Sequence, residues 1–130
     1  MAIRPTEVWR EGLEIERQML AAGELDEAIR ETLYPPGLLR RTDGVFDAFE
    51  QRTVRWRDPD DEEVLNAIED VVRALNAIDE EFDDAFETPE RDLLCSYIDE
   101  VVSEAGVDLN ALAARQGVPR TDITDRWRTW

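Results

Sequence analysis

Carboxylates dominate the side chains that could do chemistry in this sequence. Glu80 with Asp83, Glu81 with Asp84, Glu24 with Glu27, and Glu11 with Glu14 each stand three residues apart. On a helix that spacing puts both carboxylates on one face, where they could present oxygens to a divalent cation. The rest of the catalytic repertoire is thin. The chain has no His, which removes the usual general base and any Ser–His or Cys–His nucleophile pair. It also removes the Glu-x-x-His element on which di-iron carboxylate bundles depend. Cys95 is the single cysteine. It falls beside an apolar helical stripe, where a buried structural thiol is expected rather than a nucleophile. The six Gly are scattered as turns and helix stops, so no phosphate-cradling loop is expected.

The carboxylate pairs resemble the ExxE and ExxD pairs with which helical nucleotide pyrophosphatases bind Mg²⁺. With 32 acids among 130 residues, such pairs also arise by chance. Several lie on an outer helical face, where they would not converge on one ion. The expectation is therefore a chain that is not an enzyme and uses no cofactor or metal. Mg²⁺-dependent nucleotide hydrolysis, lost on replacing Glu80 and Asp83, stands as a further alternative.

Charge is the strongest compositional feature. The net charge is −17, and all fifteen basic residues are Arg. Residues 58–108 hold nineteen acids and two Arg, a net −17 by themselves, while residues 40–57 and 109–130 are each +2 and residues 1–39 are −4. Such a field repels nucleic acid and anionic membrane surfaces and attracts basic proteins. Heavy acid without Lys also resembles the surface of proteins from salt-loving organisms, in which case the charge would say nothing about a partner. A hydrophobic content of 42% is compatible with one folded domain over 1–130 rather than a disordered acidic tail. No apolar run is long enough for a membrane span, and Met-Ala-Ile-Arg-Pro lacks the apolar core of a signal peptide. The single Cys fits a reducing cytoplasm.

The element around which the chain is organised is a long helix over 60–86. Asp58-Pro59 opens it, and Asp60, Asp61, Glu62 and Glu63 match the positive end of its dipole. Val64, Ile68, Val71, Leu75, Ile78, Phe82 and Ala85 recur at alternating spacings of three and four. Glu62, Glu63, Glu69, Asp70, Glu80, Asp83 and Asp84 populate the opposite face, with Arg73 among them. Thr88-Pro89-Glu90 starts a second helix over 89–105, joined by so short a connector that the two are expected to form an antiparallel hairpin. Before them, Thr6 is expected to cap a helix over 7–22 that buries Val8, Trp9, Leu13, Ile15, Met19 and Leu20. Short helices follow over 25–33 and around 45–49, separated by Tyr34-Pro35-Pro36-Gly37. Residues 52–57 read as an extended connector or a helix end whose Arg residues pair with the acidic helices. Asp108 caps a sixth helix that Gly117 closes, and Thr121 is expected to cap a last short one. The fold expected is all-α, six or seven helices around the hairpin of 60–86 and 89–105.

Leu112, Ala113, Gly117, Val118 and Ile123 fall at the spacing of the packing residues in a helix-turn-helix unit, which this C-terminal corner resembles over about 109–130. It departs from that pattern at Gln116, where an apolar residue is usual, and at Asp122 and Asp125, which would face phosphates and bases. Arg115, Arg120, Arg126 and Arg128 would carry any DNA contact. Trp9, Trp56, Trp127 and Trp130 are expected to fill the core or cover its ends, with Trp130 the most exposed. The leading expectation is a cytoplasmic, non-catalytic acidic domain that covers a basic surface on a partner protein. Its most concrete form is an immunity protein or antitoxin-type inhibitor with Glu62, Glu63, Glu69, Asp70, Glu80, Asp83 and Asp84 at the contact. The alternative is a helix-turn-helix-related DNA-binding or transcription-associated protein using residues 109–130. Homodimerisation through the edge of the apolar stripe is open on either reading.

Overall fold

The structure, a computed structural model, describes residues 2–130, with Glu31 and Thr32 described through their backbone only. Among the described residues six α-helices succeed one another: α1 (Pro5–Ala21), α2 (Arg30–Leu33), α3 (Leu38–Val54), α4 (Asp61–Glu81), α5 (Thr88–Glu104) and α6 (Leu109–Gln116). A 3-10 helix (Arg120–Arg126) completes the C-terminal corner. No strand occurs among the described residues, so the fold is all-α, as the apolar periodicity requires.

One continuous core draws on every long helix. α4 supplies Val64, Ile68, Val71, Val72, Leu75 and Ile78; Trp9, Phe46, Tyr97 and Leu112 enter from α1, α3, α5 and α6. Phe46 packs tilted on Tyr97 with ring centroids 4.3 Å apart, and Trp9 stacks on Tyr34 at 5.5 Å. Such aromatic pairs stabilise beyond the area they bury, by about 0.5–1.5 kcal/mol each. The most extensive helix packing is α3 against α4, not the hairpin of α4 and α5 that the sequence implies. The physical reason lies in the connector. Residues 82–87 separate the two helices instead of two residues, and α5 settles against α1, α3 and α6.

Several boundaries differ from the sequence reading. α4 is capped by Asp60, whose carboxylate accepts from the Glu63 N–H at 2.8 Å, not by Asp58. It stops at Glu81 because Asp83 and Asp84 take left-handed conformations with φ of 56° and 59°. The buried Asp79 carboxylate then accepts the Phe86 N–H at 2.8 Å, so Ala85 and Phe86 reach the core from a turn, not from the helix. α5 is entered through Glu87, with Thr88 already helical. α1 starts at Pro5, and Thr6 is no cap: it is fully buried and donates its hydroxyl to Asp43 at 2.5 Å. Val8 and Ile15 of α1 are 41% and 50% exposed, while Glu16 is buried. α2 is one turn, not a helix from residue 25. α3 runs for 17 residues from Leu38, straight through Asp43-Gly44, and residues 52–54 are its last turn.

Candidate protein-binding face

The seven acidic residues expected at a contact divide into three groups along α4. From Glu62 to Glu80 the axis runs about 27 Å, at 1.5 Å per residue. Glu62, Glu69, Arg73 and Glu80 lie on one line of the outer face, since they are separated by seven, four and seven residues. In the middle of that line the charge is cancelled. Arg73 donates to Glu69 at 2.7 Å, and Arg52 from α3 reaches Asp70 at 2.5 Å. Glu62 and Glu63 sit at the N-terminal end, exposed, in the first turn where negative charge offsets the dipole. Glu80, Asp83 and Asp84 sit exposed at the other end. No basic residue lies in the last turn of α4, so these carboxylates add to the negative end of the helix. The continuous acidic face expected from the sequence is thus two acidic ends separated by a neutralised middle.

The arginines explain the division. Each that reaches the acidic helices comes from a segment that is net basic in sequence, except Arg73, which belongs to α4. Arg41 of α3 pairs with Glu81. Arg115 of α6 makes two parallel 2.7 Å bonds to Asp61. These hold the Asp61 carboxyl below its ordinary pKa, chiefly through the hydrogen bonds. Arg120 makes two parallel bonds to Asp99 of α5 at 2.6 and 2.7 Å and also donates to Ser103. Arg128 pairs with Asp125 and lies over the Trp130 ring, and Arg126 donates to Gln116. All four arginines singled out for DNA contact therefore have partners within the chain. The corner itself is present, with Asp108 capping α6 and Gly117 left-handed at its end. Its second member is the seven-residue 3-10 helix, entered through Pro119 with no side-chain cap from Thr121.

Asn76 of α4 clamps the chain beyond that corner. It donates to the Trp127 carbonyl at 2.6 Å and accepts from the Thr129 N–H at 3.2 Å. Trp130, expected to be the most exposed of the four indoles, is buried edge-on against Phe86. Trp9 and Trp56 are buried as well. This clamp carried no sequence signal, because an isolated Asn on an outer face looks like any solvated position.

The carboxylate pairs do not assemble a cation site. Glu80 is helical and Asp83 is left-handed, so the three-residue spacing no longer places them on one face; Asp84 is displaced from Glu81 in the same way. Among the described residues, no three His, Cys, Asp or Glu side chains gather as a metal would need. Cys95 is half-buried, its Sγ 3.8 Å from the Thr124 hydroxyl, and burial pushes its thiol above the ordinary pKa. It lines a cleft of about 250 Å³ together with Ile98, Leu109, Ile123 and the Asp99–Arg120 pair.

No helix among the described residues is long and apolar enough to cross a membrane. No protein-family model, no curated protein and no solved structure matches the chain.

Proposed function

We propose that the chain is a non-catalytic binding protein that covers a basic surface on a partner protein in the cytoplasm. Its closest functional type is the immunity protein or antitoxin that occupies the nucleic-acid groove of a toxin. One observation carries this reading. Internal pairing consumes the arginines that face the acidic helices and leaves Glu80, Asp83 and Asp84 exposed at the negative end of α4, with no ion pair to them among the described residues. Uncompensated charge beside a helix C-terminus raises the protein's self-energy, and a cationic surface relieves it. Long-range attraction speeds the encounter and complementary charge supplies specificity.

The test is capture of partners from the native lysate at low salt, followed by elution at high salt. The triple variant Glu80→Gln, Asp83→Asn, Asp84→Asn removes the charge while keeping side chains that tolerate the left-handed backbone. One dominant basic protein, released by salt and bound about tenfold or more weakly by the variant, is the expected result. Unchanged affinity in a variant that melts like the parent would refute it, and so would retention of DNA in place of a protein.

A further inference from the structure

The α4 surface is not the only unusual one. Val8 and Ile15 stand seven residues apart on α1, on the same side as the half-buried Met19, and are 41% and 50% exposed. Beside them runs the segment that carries α2. Its position is fixed from below: both Glu16 carboxylate oxygens accept the Arg30 N–H at 3.0 Å, and Tyr34 stacks on Trp9. Ile29, the N-cap of α2, and Leu33, its last residue, stand four residues apart and face outward at 63% and 46% exposure. The two apolar pairs therefore line neighbouring ridges. Gly12 lies on the α2 side of the α1 ridge, and the Arg30 side chain occupies the notch there: a Cβ on Gly12 would fall 3.0 Å from its guanidinium. Scattered exposed apolar residues need no explanation, but two exposed apolar pairs on adjoining elements offer a surface on which the apolar side of an amphipathic helix can lie.

The surroundings decide what fits there. Glu7 and Glu11 flank the α1 ridge on its solvent side, and Glu24, Asp26 and Glu27 precede α2; all are exposed, with no ion pair to them among the described residues. Arg30 fills the notch, and the exposed acids outnumber it at the rim. A second copy of the chain would bring the same acidic rim and another −17 against this one. We infer that the α1–α2 face is a docking surface for a cationic amphipathic helix of a partner protein, with Val8, Ile15, Ile29 and Leu33 receiving its apolar side and the acidic rim its basic flanks. The inference rests on the reading of a basic partner and adds a second, apolar contact to it.

The experiment uses the full chain and two synthetic peptides of the same Leu and Lys composition, one patterned as an amphipathic helix and one scrambled, with binding read by fluorescence anisotropy. The patterned peptide should bind, more weakly as salt rises. It should lose about tenfold or more in affinity to Val8→Asp/Ile15→Asp, and likewise to Ile29→Asp. All three positions are solvent-facing, and unchanged circular dichroism and melting confirm that each variant is folded. The α4 triple variant should bind the peptide as the parent does, which separates this surface from the one at Glu80. Equal binding of the scrambled peptide, or full affinity in both Asp variants, would overturn the inference. So would sedimentation showing a dimer that Ile15→Asp dissociates, since the occupant would then be a second copy.

Discussion

Two buried or half-buried carboxylates show how neighbours decide what an acid does for the fold. Asp43 links α3 to α1. Its partial burial raises the carboxyl, but the hydrogen bonds from Thr6 and Arg10 and the charges of Arg10 and Arg4 outweigh that, and its pKa lies below the ordinary value. Folding therefore favours its ionised form: the contribution is present above the ordinary aspartate pKa and is lost as pH falls through the lowered one. Asp79 runs the other way. Burial raises it by more than the Phe86 N–H bond lowers it, and Asp84 adds to the rise. Its ionised form costs stability, so the fold gains as pH falls through the raised value, and the gain is complete below the ordinary one. The same residue caps the Phe86 amide, and an unpaired buried N–H costs about 1–3 kcal/mol. Asp79→Ala should lose that amount in urea unfolding at neutral pH. Asp79→Asn keeps an oxygen acceptor and should lose much less. Its stability relative to the parent should fall as pH is lowered, because only the parent gains on protonation. A pH-independent difference between Asn and Asp would show that the carboxylate is not destabilised by its surroundings.

At the scale of elements, the sequence was readable where a chemical signal acts locally. The Asp108 cap and the left-handed glycines at 23, 106 and 117 stand at helix ends as expected. It was misread where tertiary contacts override local preference. Asp43-Gly44 has the composition of a turn, yet α3 passes through it because Asp43 holds Thr6 and Arg10 while the buried Thr42 bonds back to the Leu38 carbonyl. The apolar period of α4 continues through Phe82, Ala85 and Phe86, since all three pack on the core, but periodicity does not reveal that the backbone has turned. The acidic face was legible as composition and not as geometry, because its cancelling arginines come from α3 as well as from α4 itself. The turn itself can be tested. Asp83 and Asp84 occupy a backbone region that costs any residue but glycine. Asp83→Gly and Asp84→Gly should each stabilise the protein by about 0.5–1 kcal/mol, helped by the loss of negative charge at the helix C-terminus. Asp84→Ala should give no such gain. If both glycine variants were neutral or destabilising in urea titrations, α4 would not end where the structure ends it.

For the whole molecule, salt acts in two opposed ways, and their balance separates the readings of the charge. The ion pairs that tie α3, α6 and the 3-10 helix to the acidic helices lie at the surface; measured pairs of this kind contribute about 0–1 kcal/mol each, so screening them costs little. The net −17 repels itself over the entire surface, and screening relieves that repulsion at once. The melting temperature should therefore rise by several degrees from dilute buffer to molar KCl. Neutralising Glu80, Asp83 and Asp84 together should raise the low-salt melting temperature and flatten the rise, because those carboxylates sit at the negative end of α4 and carry part of the uncompensated repulsion. Partner binding has the opposite dependence, since the attraction that assembles the complex is what salt screens. A protein that becomes both more stable and less tightly bound as KCl rises holds its acidity in reserve for a cationic surface. One whose stability climbs steeply while its associations are indifferent to salt carries the acidity for solvation alone, and the binding role assigned to the end of α4 would fail with it.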